Sequence, residues 1–275
     1  MGKKTKDLGE LKGQLLIFGG VYSNLEALIA LKEIAQEKNI APENIICTGD
    51  IIGYCANPLE SLHIIKDWGI HAIAGNVEIQ LREDKEDCGC DFDEGGRCDV
   101  FSKKWYPYAQ NKLTSSDKIW LESLPDFITF SYNGKKVLVL HGSFHRTSEF
   151  IFKSTPWETK NNSLIDSKTD IVLAGHSGIP FIDTKEGKTW FNAGVIGMPA
   201  NDGNKNVWYG ILDVKENDIT FKHESYSYDF NTASEKMLAN NLPASYAETL
   251  KTGIWDNCEI LPDIETKQQG KPLKL

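Results

Sequence analysis

Short apolar runs alternate with helical patterns along the first part of the chain. Residues 14–18 form an apolar run typical of a buried strand, and residues 44–47 and 71–74 form two more. Residues 25–34 carry apolar side chains at helical spacing, and residues 58–68 predict a second helix. This order of strands and helices predicts a parallel sheet with crossover helices, in which ligands bind where the strands end.

The rest of the chain returns to strand patterns. Asn133-Gly134 separates two apolar runs, 126–132 and 135–140, and is a hairpin signal. Further strands are predicted at residues 171–174, 188–191, 207–214 and 218–225. Helices are predicted near residues 100–111 and 116–123 and after residue 231. The polar end of the chain, TKQQGKPLKL, predicts a loose tail.

Length and charge narrow the classes of function. The chain has 275 residues with 40% hydrophobic and 25% charged side chains, which predicts a folded globular protein. Its 30 basic and 39 acidic residues leave a net charge of −9, which argues against a general nucleic-acid or membrane-surface binder, because both partners are polyanions. No apolar run approaches the roughly 20 residues of a membrane span, and the N-terminus lacks a signal-peptide core. We therefore expect a cytoplasmic protein.

Four polar residues share one placement, at the end of a predicted strand and next to a glycine. They are Asp50, Asn76, His141 and His176. One carboxylate, one amide oxygen and two imidazoles suit Zn, Mn or Fe, and the neighbouring glycines let the backbone approach a ligand closely. Each residue alone is more typical of a turn or of a structural histidine. The occurrence of all four at strand ends favours a metal site.

The motifs around these residues resemble those of a known family. TGDIIGY, AGNVE, LHGS, AGHSGIP and NAGVIGMP, in this order, are similar to the motifs of the calcineurin-like metallophosphoesterases, and most of all to the bacterial YfcE-type and diadenosine-tetraphosphatase-like branch. The resemblance implies an α/β sandwich of two facing mixed β-sheets flanked by helices (α/β/β/α). We expect this domain at residues 12–228, with a cysteine-containing insert at about 82–124. A helical extension and loose tail would follow at 229–275.

The resemblance also implies two metals, but one of the two sites is degenerate in this sequence. Gly20-Val21-Tyr22 stands where the family has Asp-x-His, and Gly178 stands where it has the last His of Gly-His-x-His. Val77 replaces the histidine of the family's GNH motif. The ligands implied for the other site are all present: Asp50, Asn76, His141 and His176. We therefore expect one divalent metal per chain (Mn, Fe or Zn), or a second metal held in a different way.

Three residues are candidates to compensate for the missing metal. Tyr22 could donate a hydrogen bond to a phosphate oxygen or ligate a metal, or it could simply fill the empty site. His145 could protonate a leaving oxygen, and Arg146 could bind phosphate through its guanidinium. Both could equally be ordinary surface residues.

A second cluster of candidate ligands lies in the segment DCGCDFDEGGRCD. Cys88, Cys90 and Cys98 could hold zinc or an iron–sulfur cluster with a fourth ligand from elsewhere, or could form a redox-sensitive pair. The alternative is a set of thiols in a tight loop. The Cys-x-Cys spacing differs from the usual Cys-x-x-Cys zinc knuckle.

These observations lead to three hypotheses about function. The first is a metal-dependent phosphoesterase with an atypical, single-metal centre, acting on a phosphodiester, a nucleotide or a phosphoprotein. The second is a catalytically inactive relative that binds a nucleotide or a protein partner through the old cleft. The third is a redox or metal sensor built on the cysteine segment. A homo-oligomer is compatible with all three.

Overall fold

The computed structural model describes residues 3–275, which contain eleven strands and nine α-helices. In chain order the strands are β1 (Thr5–Leu11), β2 (Leu15–Phe18), β3 (Ile45–Cys47), β4 (His71–Ala72), β5 (Phe127–Tyr132), β6 (Lys135–Val139), β7 (Ile171–Ala174), β8 (Phe181–Lys185), β9 (Lys188–Asn192), β10 (Val207–Lys215) and β11 (Asp218–Tyr226). The helices are α1 (Leu25–Glu37), α2 (Pro58–Trp68), α3 (Asn76–Arg82), α4 (Arg97–Gln110), α5 (Ser115–Ser123), α6 (Trp157–Asp166), α7 (Phe230–Ala239), α8 (Ala244–Thr252) and α9 (Asp263–Thr266).

The strands form two mixed sheets. The six-stranded sheet has the order β1-β5-β6-β7-β9-β8, in which β5 and β6 pair antiparallel while β6, β7 and β9 run parallel. The five-stranded sheet has the order β11-β10-β2-β3-β4, in which β2, β3 and β4 run parallel and β10 is antiparallel to β2. Two mixed sheets with flanking helices are the predicted α/β/β/α fold class, which is confirmed.

Alternate residues of the central strands face different layers. Leu15 and Ile17 of β2 pack with Phe130 and Val139 of the other sheet, so these side chains fill the space between the sheets. Leu16 and Phe18 point to the opposite side, where they join the cluster that includes α1 and α2. Both faces of β2 are buried, which is why its sequence is a continuous apolar run.

Sequence patterns missed several elements, and β1 is the clearest case. Its residues TKDLGEL are mostly exposed, yet the strand pairs parallel with β5 at the edge of the six-stranded sheet. Charged side chains protect an edge strand from pairing with other chains, but they also remove the apolar signal that predicts a strand. The short β8 and the helices α3 and α6 were likewise not predicted.

The C-terminal segment packs against the body of the protein. Helix α7 contacts both α1 and α8. Beyond α9, the N–H of Gly270 donates a 2.9 Å hydrogen bond to the carbonyl of Asn201, and Gln269 donates its side-chain amide to the Trp255 carbonyl at 3.2 Å. The chain is thus held by these contacts as far as Gly270, where the sequence predicted a loose tail.

Candidate metal centre

Four loops at the carboxyl ends of parallel strands supply one buried cluster of polar side chains. Asp50 lies shortly after β3, Asn76 begins α3 after β4, and His141 and His176 follow β6 and β7. Their exposed fractions are 4%, 4%, 2% and 7%. The two sheets each contribute two residues, so the cluster lies where the edges of both sheets meet.

The ring nitrogen Nε2 of His141 is at the middle of this cluster. It lies 3.1 Å from Oδ2 of Asp50, 3.0 Å from Oδ1 of Asn76 and 3.1 Å from Nδ1 of His176. One ligand atom from each of Asp50, His141 and His176 lies within 4.8 Å of the others. This is the spacing of atoms that can share a single cation.

Hydrogen bonds outside the cluster orient its members. Nδ1 of His141 lies 2.7 Å from the Thr48 carbonyl, which can only accept, so this nitrogen carries a proton and Nε2 is the nitrogen that faces the other candidate ligands. The side-chain amide of Asn76 donates to the Cys88 carbonyl at 2.9 Å, which turns its Oδ1 toward His141. Such outer contacts fix ligand geometry in metal proteins.

Two polar atoms of the cluster are buried without a hydrogen-bond partner among residues 3–275. They are Oδ1 of Asp50 and Nε2 of His176. Leaving a buried polar atom unpaired costs roughly 1–3 kcal/mol, so such atoms call for a partner. The donor set of a carboxylate, an amide oxygen and two imidazoles is one that Zn, Mn and Fe accept. The residues therefore fit a divalent cation.

The pKa values of Asp50, His141 and His176 depend on one another. Burial would raise the pKa of Asp50, but the His141 ring outweighs burial and holds that pKa below its usual value. Burial would lower the pKa of His141, but the Asp50 carboxylate outweighs it and raises that pKa. For His176, burial and the neighbouring His141 charge lower the pKa to about 3. Asp50 is thus anionic and His176 neutral at neutral pH, as ligands must be.

The backbone at two of these residues is strained. Asp50 and His176 have φ values of 55° and 61°, in the left-handed region that costs a non-glycine residue about 1–2 kcal/mol. The buried carboxylate of Glu78 braces the loop of Asp50. It accepts hydrogen bonds from the backbone N–H groups of Asp50 (2.8 Å), Ile52 (3.1 Å) and Gly75 (2.9 Å). Burial and the Asp50 charge raise the pKa of Glu78 to about 7.

Sequence reasoning did not single out Glu78 as part of the site. The signal was present, since a glutamate three residues after Gly75, at the start of α3, is the capping-box position. Its three bonds reach across two loops, and only the fold places Ile52 next to α3.

Bulky side chains pack against Gly20 and Gly178, the two glycines that stand where the family has metal ligands. A Cβ atom at Gly20 would lie 2.3 Å from Cγ1 of Val195 and 2.7 Å from Cζ of Tyr22, so an aspartate there would require these side chains to shift. A Cβ at Gly178 would lie 3.3 Å from the Trp255 ring. Tyr22 lines a cavity beside Asp50 and His176, and burial raises the pKa of its phenol well above its usual value. Tyr22 is therefore a neutral hydrogen-bond donor next to the cluster.

His145 and Arg146, the other two predicted catalytic residues, do not line this cavity. His145 pairs with Asp166 at 3.1 Å, and Arg146 pairs with Asp91 at 2.7 Å. Their backbone N–H groups both donate to Oγ of Ser143, and this tight turn directs the two side chains to other carboxylates. More than half of each side chain is exposed, which agrees with the alternative that they are surface residues.

The three cysteines of the insert do not converge on one site. Cys88 and Cys90 form a disulfide, whereas Sγ of Cys98 lies 3.4 Å from Oδ1 of Asn257 in the C-terminal segment. In the described part of the chain, no metal-competent cluster contains a cysteine. The prediction of a Cys88–Cys90–Cys98 metal site is thus not supported by the geometry, while a redox-sensitive pair stays a prediction.

Within residues 3–275 no helix has the length and apolar character needed to cross a membrane.

Comparison with known proteins identifies the family of this chain. The sequence model of the calcineurin-like phosphoesterase superfamily domain matches residues 16–217. An uncharacterized protein of Methanocaldococcus jannaschii, MJ0912, is 29% identical over 260 residues, which cover 88% of this chain and 99% of that protein.

Two solved structures share the fold. The hypothetical protein PH1004 from Pyrococcus horikoshii superposes with a TM-score of 0.73 at 18% identity, over 88% of this chain and 99% of that one. A metallophosphoesterase from Sphaerobacter thermophilus superposes with a TM-score of 0.68 at 21% identity, over 89% and 100%. The match of the family's sequence model to most of the chain is the decisive finding. The protein therefore belongs to the calcineurin-like phosphoesterase superfamily.

Proposed function

We propose that this protein is a metal-dependent phosphoesterase with a single-metal centre formed by Asp50, Asn76, His141 and His176. The observation that carries the proposal is the convergence of these buried ligand atoms around Nε2 of His141, two of the residues having an unpartnered polar atom. A bound Mn, Fe or Zn ion supplies Lewis-acid polarisation of a phosphoryl oxygen and makes water more acidic.

The charge around the centre favours a phosphodiester as the substrate. None of the residues that line the adjoining cavity, all within 3–275, is a lysine or an arginine. Relatives with two metals neutralise more of the substrate's charge, so a single-metal centre suits a group with one negative charge better than a phosphomonoester or polyphosphate. We propose that Tyr22, which lines this cavity, adds one neutral hydrogen bond, because its raised pKa keeps the phenol protonated.

A second candidate function is an inactive relative that binds a nucleotide or protein partner. The observation that favours it is the packing of Tyr22 against Gly20 and of the Trp255 ring against Gly178, two glycines that stand where the family has metal ligands. The complete ligand set at the other site argues against it, because a purely binding cleft does not need four converging metal ligands.

The first test is the metal content of the purified protein after supplementation with Mn, Fe or Zn. Elemental analysis compares the wild type with Asp50→Ala and His176→Ala. Asp166→Ala and His63→Ala are matched controls, because each residue lies in a histidine–aspartate contact outside the cluster. We expect about one metal per chain in the wild type and the controls, and loss of most of it in the two cluster variants.

Hydrolysis of bis(4-nitrophenyl) phosphate by the loaded protein then separates the two functions. Release of nitrophenol that disappears in Asp50→Ala supports the phosphoesterase. Metal binding without hydrolysis of this or other phosphodiesters favours the inactive relative. Two metals per chain contradict the single-metal centre, and no metal in any preparation contradicts the proposal as a whole.

A further inference from the structure

A cavity with aromatic walls opens directly beside the metal cluster. Asp50 and His176 contribute to its floor, and Tyr22, Tyr54, Phe150 and Trp255 contribute to its walls. The ring of Phe150 stacks on the His176 imidazole with 4.2 Å between ring centres. A group bound in this cavity would therefore be next to any phosphoryl group held at the cluster.

The aromatic walls are continuous and well anchored. Tyr22 packs edge-on against Tyr54 at 4.6 Å, and Tyr54 packs against Tyr246 at 5.1 Å. Trp255 closes the other side, where its Nε1 donates a 2.7 Å hydrogen bond to the Pro199 carbonyl and its backbone N–H donates to Asn201 at 2.8 Å. These contacts hold the rings in fixed orientations, as a recognition surface requires.

Two segments that are not strands of the sandwich supply much of the wall. Cys90, Phe92 and Cys98 come from the cysteine-containing insert. Tyr246, Trp255 and Ile260 come from the segment after the last strand, beyond the residues that match the family's sequence model. Part of the cavity wall therefore lies beyond the residues that match the family's sequence model, and Gly178, which stands instead of a metal ligand, also lines the cavity.

The charge of the cavity shows which part of a substrate it would accept. Its acidic residues are Asp50, which belongs to the cluster, and Asp256, which is ion-paired with Arg97. Without a basic side chain among its lining residues, the cavity offers nothing to a second phosphate group. Its rings offer faces and edges to a planar aromatic group, which gains both from apolar burial and from ring–ring geometry.

We propose that this aromatic cavity binds the planar aromatic group of a phosphoester whose phosphoryl group lies at the metal cluster. The inference rests on the proposed function and names its substrate class. The cavity is partly open to solvent and has a volume of about 80 Å³, which is smaller than the roughly 150 Å³ cavity known to enclose benzene. A single six-membered ring that extends partly into solvent therefore fits better than a fully enclosed bicyclic base.

The test compares the binding of two small phosphonates to the Mn-loaded protein by calorimetry. Phenylphosphonate and methylphosphonate, each used as its methyl monoester with a single negative charge like a phosphodiester, present the same phosphoryl oxygens but differ in the aromatic ring. We expect the wild type to bind phenylphosphonate roughly tenfold more tightly, from ring burial and stacking. Trp255→Ala should remove most of this preference and leave methylphosphonate binding within about twofold of the wild type, while Trp255→Phe should retain part of the preference.

The control variant is Trp157→Ala, a half-buried tryptophan that packs in a separate cluster at the start of α6. It should keep the wild-type preference. Thermal unfolding of each variant verifies that it is folded, and Trp255→Phe preserves the test if Trp255→Ala is not.

The outcomes separate this inference from the proposed function. Equal binding of both phosphonates by the wild type overturns the aromatic cavity as a binding site but leaves the phosphoryl site intact. Binding of neither phosphonate overturns the proposed function and this inference with it. A further pair, the methyl phosphodiesters of adenosine 5′-monophosphate and of ribose 5-phosphate, distinguishes the source of the ring. A preference for the former in the wild type indicates a nucleobase, and its absence beside a phenyl preference indicates a simple aryl group.

Discussion

At the scale of single residues, the centre depends on side chains that hold an unfavourable backbone in place. Asp50 and His176 adopt left-handed backbone conformations that only their surroundings maintain. Glu78 is the brace for Asp50, with three backbone N–H groups bonded to one buried carboxylate. A buried acceptor with this many donors is difficult to replace.

Replacing Glu78 with glutamine should weaken both the fold and the metal site. The amide keeps one acceptor oxygen, but its NH₂ group would face backbone N–H donors, which costs about 1–3 kcal/mol of unfolding free energy. Urea unfolding and Mn titration measure the two effects. Glu83→Gln, an exposed residue at the end of the same helix, is the control. Unchanged stability and metal affinity in Glu78→Gln would show that the hydrogen bonds accepted by Glu78 support neither the fold nor the metal site.

Gly20 provides a second prediction at this scale, because it leaves room for Val195 and Tyr22. Gly20→Ala should destabilise the protein more than Gly187→Ala does. Both glycines have positive φ values, so both variants lose about 1–2 kcal/mol in backbone strain, but a Cβ at Gly187 meets no atom within 4 Å. Overpacking at Gly20 should add about 1–3 kcal/mol. Equal losses in urea unfolding would contradict the close packing at Gly20.

At the scale of elements, the segment between α3 and α4, which lies within the predicted insert, contacts the candidate metal centre. The side-chain amide of Asn76 bonds to the Cys88 carbonyl and lies 3.2 Å from Sγ of Cys90. The disulfide between Cys88 and Cys90 closes this small loop. The insert is therefore in a position to orient a ligand of the candidate cation.

Opening that loop should lower the affinity for metal. In the double variant Cys88→Ser, Cys90→Ser, the loop is freer and the amide of Asn76 is held less firmly. Loss of such an outer contact typically costs 10–100-fold in metal affinity, and we expect the lower end, about tenfold. Mn titration measures the change, with Cys258→Ser as a control because Cys258 is free and lies in the C-terminal segment. Equal affinities in all three proteins would show that the loop does not position Asn76.

At the scale of the whole molecule, long-range ion pairs connect elements that are far apart in sequence. Glu224 of β11 pairs with Lys38 at the end of α1 (2.9 Å) and with its strand neighbour Lys222 (2.6 Å). Burial would raise the pKa of Glu224, but these partners and the Tyr209 hydroxyl outweigh it and lower the pKa to about 2. The anionic form is thus favoured in the folded protein more than in the unfolded one.

This difference predicts a specific acid dependence of stability. A carboxylate with a lowered pKa stabilises the fold above its unfolded pKa, near 4.5, and loses that contribution as the pH falls toward about 2. Glu224→Gln should therefore have a flatter stability curve than the wild type between about pH 4.5 and 2, measured by urea unfolding at each pH. Glu216→Gln, an exposed residue of the neighbouring turn, should retain the wild-type slope. Identical curves for Glu224→Gln and the wild type would contradict the ion-pair assignment.

The sequence predicted the local elements well where apolar periodicity was strong. Helix α2 begins and ends at the predicted residues, and α1 starts after Asn24, whose side chain accepts from the N–H of Ala27 as a cap should. Sequence patterns did not predict strands whose side chains are weakly buried or buried on one face only, as in the charged edge strand β1 and the short β8. Local propensity carries little information about strands that depend on pairing with a distant partner.

The sequence by itself determined the family, the candidate ligand residues and the glycines that stand where the family has other ligands, because these are properties of short motifs in order. Only the tertiary structure decided which residues meet. His141 is 65 residues from Asn76 and 35 from His176, yet sheet register brings all three within hydrogen-bond distance. The tertiary structure also leaves His145 and Arg146 outside the cavity and packs Trp255 against Gly178. Such contacts depend on how strands and helices pack, and local sequence does not encode that packing in a form that can be read residue by residue.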